Sequence, residues 1–324
     1  MSEPLYPPSA NSAARMVLVM CVNAGVDRTY EVENFTCGGF HRPTACHVAA
    51  GGKGLNVARA LAALALDTVV TGFFGGFSGD FIFCDLDRPH LYPEFIQIRA
   101  DSRTTLAIRD SRSGLVTRLD EWGPPVSEAE VALLHERWEE LLPFAHLAVV
   151  SGNPPPAVGE DFCGRLVARA REMDVAVLVD LHETHLREAL LATPAILTPN
   201  LTELSWLAGR SLSIPTEVVD YSRELVAGGV GTVLTTLGAE GALLVTADTA
   251  FRVLAPQVDV VSAVGAGDCA VAGWVAAGAW GLPLRDQARW AVAAGSACCL
   301  HTEAAALHRE ELESLLARTS VSDL

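Results

Sequence analysis

The strongest constraint on the fold is a repeated alternation of short apolar runs with amphipathic segments. The run MVLVMCVN at residues 16–23 is uninterrupted and as long as a strand, which is typical of a central strand covered on both faces. Segments of helical pattern then alternate with further apolar runs such as DTVVTGFFGG and VAVLVDL. This alternation predicts an α/β fold, with a doubly wound, mostly parallel sheet and helices on both faces.

Two regions interrupt the alternation. Residues 28–48 and 95–119 consist of short alternating segments separated by turn residues, so they predict a small antiparallel β lid inserted into the core. We expect residues 16–324 to form one domain, preceded by a polar, proline-rich and disordered segment at residues 1–15. Because ligands of such sheets bind beside the carboxyl ends of the strands, the loops that follow the strands should carry the site.

Composition excludes several classes of partner. The formal charge of −16 argues against nucleic acid and anionic membranes, which both need a basic surface. The eight cysteines show no metal-ligand spacing, which favours reduced cysteines in a cytoplasmic protein without a structural zinc site. The apolar stretch at residues 258–284 is long enough to span a membrane, but Asp268 and recurrent glycines favour a buried loop and helix.

The segment VGAGDCAVAGW combines a glycine-rich turn with an apolar helical pattern. Backbone N–H groups of Gly265, Ala266 and Gly267 would point out of a helix N-terminus, which is a ready anion site. Beside them, Asp268 could accept a hydroxyl proton, so the segment has the minimal apparatus of phosphoryl transfer. Asp268 could instead cap the helix. The letters also match a dinucleotide fingerprint, but the acidic strand end about 20 residues later is missing.

Lys53 is the only lysine in the chain and stands between Gly52 and Gly54. A compact ammonium binds phosphate as a point charge, whereas a planar guanidinium needs more room than a tight glycine turn offers. The position therefore predicts a contact with an anionic group such as phosphate.

Four segments in order, GGKGLNVARAL, TPNLTEL, TTLGAEGAL and DVVSAVGAGDCAVAGW, resemble the signatures of the ribokinase-like (PfkB) sugar kinases. The resemblance runs from about Met16 to Leu300, and within the family it is greatest to 1-phosphofructokinases and related kinases such as tagatose-6-phosphate kinase. It implies transfer of phosphate from Mg–ATP to the C6 hydroxyl of fructose 1-phosphate. Tagatose 6-phosphate, fructose 6-phosphate or an unphosphorylated sugar are alternative acceptors. A non-catalytic sugar-phosphate sensor is an alternative of another class.

The resemblance also implies roles for individual residues. Asp268 resembles the general base, and Gly265, Ala266 and Gly267 resemble the anion hole. The residues that would bind the sugar substrate are Asp27, Gly52, Lys53, Asn56, Arg103 and Asn153. The residues that would bind ATP are Asn200, Thr236, Gly238, Gly241 and Gly267, with adenine near residues 295–300. Glu203 would organise Mg²⁺ through water. Lys53 and Arg103 together would neutralise the phosphate of the substrate.

Some of these residues have simpler interpretations. Asn200 and Glu203 match a helix capping pair, Asp27 could cap a turn, and Arg103 could be an exposed charge. Histidines such as His182 fit no metal spacing and are interpreted as surface or core residues. The segments SGNPPPA, TPN and DLHE depart from the family pattern. The resemblance further suggests a monovalent cation near Ser262 and Val264, and a homodimer formed through the lid.

Overall fold

The structure is a computed structural model that describes residues 16–156 and 158–324. The predicted disordered segment at residues 1–15 lies outside the described residues. The strands, numbered along the chain, are β1 (Val17–Cys21), β2 (Gly25–Val32), β3 (Ala45–Gly51), β4 (Thr68–Phe74), β5 (Leu91–Pro93), β6 (Ile96–Gln97), β7 (Arg103–Asp110), β8 (Val116–Asp120), β9 (Leu147–Ser151), β10 (Val177–Asp180), β11 (Ile196–Leu197), β12 (Thr232–Thr236), β13 (Ala242–Val245), β14 (Ala250–Leu254) and β15 (Ser320–Asp323).

The helices are α1 (Lys53–Ala63), α2 (Gly76–Asp85), α3 (Glu128–Leu141), α4 (Phe162–Glu172), α5 (Glu183–Leu191), α6 (Leu201–Ala208), α7 (Pro215–Ala227), α8 (Ala266–Ala279), α9 (Leu284–Cys298) and α10 (Arg309–Leu316). Short 3₁₀ turns lie at Leu142–Phe144 and Gly238–Glu240. The short α10 and the last strand were not recognised in the sequence. Helix α1 begins at Lys53, because the positive φ of Gly52 turns the chain directly into the helix.

The large sheet has the strand order β15-β14-β13-β12-β11-β10-β9-β1-β4-β5, and β6 also pairs with β4. The pairs from β12 through β11, β10, β9, β1 and β4 to β5 are parallel, whereas β13, β14 and β15 are added antiparallel. The chain leaves β1 toward β4 on one side and later returns to β9 on the other. This reversal of strand order opens a crevice at the carboxyl ends of β1, β9 and β10.

Strand β1 shows why the sheet is covered on both faces. Val17 and Val19 belong to an apolar cluster with residues of α1, α8 and α9, while Leu18 and Met20 belong to a second cluster with residues of α3 and α4. Side chains alternate between the two faces of a strand, so a run of apolar residues can serve both helix layers. The predicted doubly wound core is therefore confirmed.

The lid is a separate sheet with the order β3-β2-β7-β8. Its outer pairs are antiparallel as predicted, but the central pair of β2 and β7 is parallel. Both strands leave the carboxyl edge of the main sheet, β2 after β1 and β7 after β6, and therefore run in the same direction. The predicted lid region at 95–119 is also divided, because β6 pairs with β4 of the core and only β7 and β8 belong to the lid.

The apolar stretch that could have been a membrane span folds as a loop followed by α8, which is 14 residues long. No helix within the described residues has both the length and the apolar character that crossing a membrane requires.

Candidate active site

Lys53 lies at the first position of α1 and points into a group of carboxylates. Its Nζ donates to Oδ1 of Asp180 at 3.0 Å and lies 4.0 Å from Oε1 of Glu203. Burial acts to lower the pKa of Lys53, but the charges of Asp180, Glu203 and Asp268 outweigh it, and the net pKa is raised. The ammonium is therefore held in its charged form.

Asp180 was missed as a site residue in the sequence. It is the last residue of β10 and is buried, with Oδ2 accepting a hydrogen bond from Oγ of Ser151 at 3.0 Å and Oδ1 facing Lys53. The available signal was its position, because a carboxylate directly after the apolar run VLV lies at the carboxyl edge of a parallel sheet.

The predicted base is positioned by α1 rather than by its own helix. Gly265 precedes α8 with φ +83, where a Cβ would lie only 2.5 Å from the backbone nitrogen of Ala305. The buried carboxylate of Asp268 accepts a hydrogen bond from Nδ2 of Asn56 at 2.7 Å, and Oδ1 of Asn56 accepts one from Nη2 of Arg59 at 2.7 Å. Arg59 thus fixes the orientation of the Asn56 amide, which offers its N–H to Asp268.

The pKa of Asp268 is raised to about 6 by burial and by the nearby charge of Asp180. The hydrogen bond from Asn56 and the charges of Lys53 and Arg59 oppose this rise. A carboxylate with such a pKa is ionised at neutral pH yet is a better proton acceptor than an exposed aspartate. Helix capping is not its role, since Gly265 is the N-cap residue and the Asp268 carboxylate accepts from Asn56.

The N-terminus of α8 faces two cavities. Gly267 lines a large cavity of about 1330 Å³ and a small one of about 60 Å³, and a Cβ added to it would meet nothing within 4 Å. The small cavity also contacts Lys53, Asp180 and Glu203. Ala266 lines the large cavity, so the predicted anion site opens where both spaces meet.

The large cavity collects most of the predicted nucleotide residues, whereas Asn200 lines the small one. Thr236, Gly238 and Gly241 line one wall, and the end of α9 with residues 295–300 forms another. The remaining lining includes residues 255–260 and one side of α10. Its volume is ample for a nucleotide, which fits the prediction that adenine lies near the end of α9.

Asn200 and Glu203 form the capping pair that the sequence left as an alternative. The backbone N–H of Asn200 donates to Oε2 of Glu203, and the backbone N–H of Glu203 donates to Oδ1 of Asn200, both at 2.9 Å. The cap uses only one carboxylate oxygen. Oε1 is buried and finds no hydrogen-bond partner of ordinary geometry among the residues that the structure describes, and it faces Lys53 and His182. The two interpretations of Glu203 are therefore compatible.

His182 and Asn153 are placed differently from expectation. Nδ1 of His182 contacts Oε1 of Glu203, so this histidine belongs to the site rather than to an unrelated surface. The carboxamide of Asn153 accepts from the backbone N–H of His182 at 2.9 Å and donates to its carbonyl at 3.4 Å. Asn153 thus holds the loop after β10 and does not point an uncommitted amide at a substrate.

Asp27 and Arg103 meet at the base of the lid. A Cβ at Gly51 would lie 2.2 Å from the Asp27 carboxyl, so the glycine is what lets this side chain lie over the loop before α1. Burial raises the pKa of Asp27, while Arg103 opposes the rise. Nε of Arg103 donates to the carbonyl of Asn23 at 3.2 Å, and Nη1 donates to Oγ1 of Thr105 at 3.2 Å.

Lys53 and Arg103 are therefore held by different partners. Lys53 lies among carboxylates at the ends of β10 and α6, and Arg103 lies beside Asp27 under the lid. That both cations neutralise one phosphate of the acceptor stays a prediction, because here the two side chains bind different partners. The reason is that the first turn of α1 directs Lys53 toward β10, away from the lid strands.

A third cavity of about 540 Å³ lies beneath the lid. It is lined by Asp27 and Thr105 and by several arginines, among them Arg59, Arg109 and Arg118. Its opposite wall includes residues 261–264 and 302–308. In a chain of charge −16, this concentration of guanidinium groups suits an anionic ligand.

Within the described part of the chain, no group of three or more His, Cys, Asp and Glu side chains is arranged to hold a metal ion. In the loop predicted to bind a monovalent cation, the carbonyl of Val264 already accepts two hydrogen bonds. They come from Sγ of Cys298 at 3.5 Å and from the backbone N–H of Ala305 at 3.4 Å. All eight cysteines are free.

Comparison with known proteins identifies the family of the chain. The family described as pfkB family carbohydrate kinase matches residues 16–310. A 1-phosphofructokinase of Borreliella burgdorferi is 31% identical over 310 residues, covering 95% of this chain and 99% of the relative. A 1-phosphofructokinase of Haloferax volcanii is 36% identical over 284 residues, covering 87% and 90%.

Solved structures support the same assignment. Phosphofructokinase-2 of Escherichia coli in complex with fructose-6-phosphate has a TM-score of 0.86 and 27% identity, covering 94% of this chain and 98% of that one. A ribokinase of Thermotoga maritima, at 19% identity and a TM-score of 0.77 over 94% and 99% of the chains, shows likeness of fold alone.

Proposed function

Because the chain belongs to the pfkB family of carbohydrate kinases, we propose that it transfers the γ-phosphoryl group of ATP to the C6 hydroxyl of fructose 1-phosphate. The products are fructose 1,6-bisphosphate and ADP. The observation that carries the proposal is the buried Asp268 carboxylate, held by Asn56 beside the N-terminus of α8. In the reaction the acceptor oxygen forms a bond to phosphorus, its proton passes to Asp268, and the bond from phosphorus to the ADP oxygen breaks.

The carboxylate end of the site suits a nucleotide with its cation. Asp180, Glu203 and Asp268 surround one ammonium, so the cluster has an excess of negative charge. Within the described residues, Oε1 of Glu203 is a buried acceptor without an ordinary partner. These features fit Mg²⁺ held largely through water, with Glu203 and Asp180 as the protein groups. When bound, Mg²⁺ neutralises charge on the phosphates. Lys53 would approach the transferred phosphate, and the backbone N–H groups of α8 would stabilise its charge.

The lid end supports a phosphorylated acceptor. Asp27 would bind a sugar hydroxyl, while Arg103 beside it and the guanidinium groups that line the cavity under the lid would bind the phosphate already present. Closure of the lid over this cavity would exclude water from the transferred phosphate.

Fructose 6-phosphate is the second candidate acceptor. The Escherichia coli phosphofructokinase-2 structure contains it, and that protein shares 27% identity with this chain. We also propose that the lid mediates a homodimer, because it carries exposed apolar side chains including Phe40, Leu119 and Trp122. A monovalent cation near Ser262 and Val264 stays a prediction from resemblance.

An ADP-release assay over fructose 1-phosphate, fructose 6-phosphate, tagatose 6-phosphate and fructose tests the proposal. We expect the highest kcat/KM with fructose 1-phosphate and a loss of about 10³-fold in kcat for Asp268→Asn, because removal of a general base has effects of this order. Turnover of none of these acceptors, or full activity of Asp268→Asn, would contradict the proposal.

A further inference from the structure

His182 occupies the mouth of the carboxylate cluster. It follows β10 by two residues and precedes α5, with extended backbone at φ −117 and ψ 149, and its side chain makes no helix-capping hydrogen bond. The imidazole is 40% exposed and its Nδ1 contacts Oε1 of Glu203, whose side chain is 7% exposed. One edge of the ring therefore faces the site and the other faces solvent.

The backbone around His182 includes a left-handed residue and makes two hydrogen bonds with the Asn153 carboxamide. Glu183 has φ +47, a left-handed conformation that costs a residue with a side chain about 1 kcal/mol. The Asn153 carboxamide bonds both the N–H and the carbonyl of His182, at 2.9 and 3.4 Å. The segments SGNPPPA and DLHE, which both depart from the family pattern, are thus in direct contact. Asn153 of the first segment therefore holds the backbone of His182 in the second.

The two carboxylate oxygens of Glu203 make different contacts. Oε2 accepts from the backbone N–H of Asn200 and stabilises the start of α6. Oε1 lies between Nδ1 of His182 and Nζ of Lys53, which is 4.0 Å away. Without the imidazole, Oε1 would still face the ammonium of Lys53. The carboxylate would then close on Lys53 across the small cavity of about 60 Å³.

We propose that His182 is a positioning residue for the nucleotide end of the site. Through its contact with Oε1 it keeps Glu203 apart from Lys53, leaving Glu203 available to the cation of the nucleotide and Lys53 to the phosphate. Asn153 acts one step further out by fixing the His182 backbone. This inference rests on the proposed kinase function, but it concerns nucleotide binding alone and makes no claim about the sugar.

The test measures binding of ADP with Mg²⁺ by calorimetry, without an acceptor sugar. We expect His182→Ala to weaken binding about tenfold, as is usual when a group that orients a metal-associated carboxylate is removed. His182→Asn should restore binding to within about threefold of the wild type, because its Nδ2 can take the position of the imidazole Nδ1. His185→Ala is the matched control, since that histidine lies on α5 and contacts the Glu160 carbonyl instead.

Steady-state kinetics should show the same selectivity, with KM for Mg–ATP raised about tenfold in His182→Ala and KM for the sugar phosphate unchanged. Asn153→Ala should weaken ADP binding less, and its effect should not add to that of His182→Ala. Wild-type ADP affinity in His182→Ala, an Asn variant no better than the Ala variant, or additive effects of the two sites would each overturn the proposal. Because the binding assay needs no acceptor, failure of the fructose 1-phosphate proposal would leave these results interpretable.

Discussion

The two ends of the site are built from different kinds of structure. Strand β10, which carries Asp180, is buried at all four positions, whereas lid strand β8 is exposed at all five. Side chains at the end of β10 are held by hydrogen bonds to Ser151 and Lys53 before any ligand arrives. The lid presents its arginines on a thin sheet beneath which a cavity remains. The end of the site that we propose for phosphate transfer is thus preorganised, whereas the end proposed for the acceptor would be completed by the substrate.

The largest effect should come from the preorganised end. We expect Lys53→Met to lower kcat about 100-fold and to raise KM for Mg–ATP, with little change in KM for the sugar phosphate. The variant leaves Asp180, Glu203 and Asp268 without their shared cation, and the loss of positive charge also raises the pKa of Asp268. The acid limb of the kcat/KM profile should therefore shift to higher pH.

Steady-state kinetics over a pH series check both parts of this prediction. A rise confined to KM for the sugar phosphate would contradict it and would return Lys53 to the acceptor side. That outcome would also remove the contrast between the two ends of the site.

A smaller effect should come from the lid, and it should appear in KM for the sugar phosphate rather than in KM for Mg–ATP. We expect Arg103→Ala to raise KM for the sugar phosphate about tenfold with KM for Mg–ATP unchanged, because Arg103 lies beside Asp27 and away from the carboxylate cluster. Arg112→Ala is the matched control, since that arginine is exposed near the tip of the lid and pairs with Glu33. An equal effect of the two variants would show that Arg103 is only one surface charge among many.

The last prediction concerns stability rather than catalysis. The pKa of Asp268 is raised from 3.8 to about 6 in the folded chain, so between these values the folded state keeps a proton that the unfolded state releases. Stability therefore falls as pH rises through this range, and above about pH 6 the cost is on the order of 3 kcal/mol. Asp268→Asn removes the ionised group while its Oδ1 can still accept from Asn56.

The Asn variant should accordingly melt a few degrees higher than the wild type above about pH 7, and the difference should vanish toward pH 4. Thermal melts at several pH values measure this. A variant less stable than the wild type at neutral pH would show that the Asp268 carboxylate is satisfied better than its burial implies. Ionised Asp268 would then stabilise the folded state rather than destabilise it.

Much of the fold was visible in the sequence. The uninterrupted run at β1 predicted a central strand, and it contributes to both apolar clusters. Four ordered motifs predicted the family, which the match over residues 16–310 confirms. The parallel pairing of β2 with β7 was not predicted, because local alternation reports which residues form strands and carries no information on their direction.

The candidate site contains residues that local sequence patterns indicate and others that they do not. Asp268 and the α8 N-terminus could be identified because a helix start and its anion site are local features. Asp180 and His182 were overlooked, since they acquire a role only through contact with Lys53 and Glu203, which lie far away in the chain. The capping pair at Asn200 was recognised, but nothing local indicated that Oε1 of Glu203 would stay uncommitted.

The single lysine illustrates the division between sequence and tertiary structure. Its chemistry and its place at a glycine turn are properties of the sequence, and they predicted a contact with an anionic group, which in the structure is the carboxylate of Asp180. Which phosphate it would serve depended on the direction of the first turn of α1 relative to β10. That direction is set by packing of the helix on the sheet, because many weak contacts across the whole core determine it and no short segment contains them.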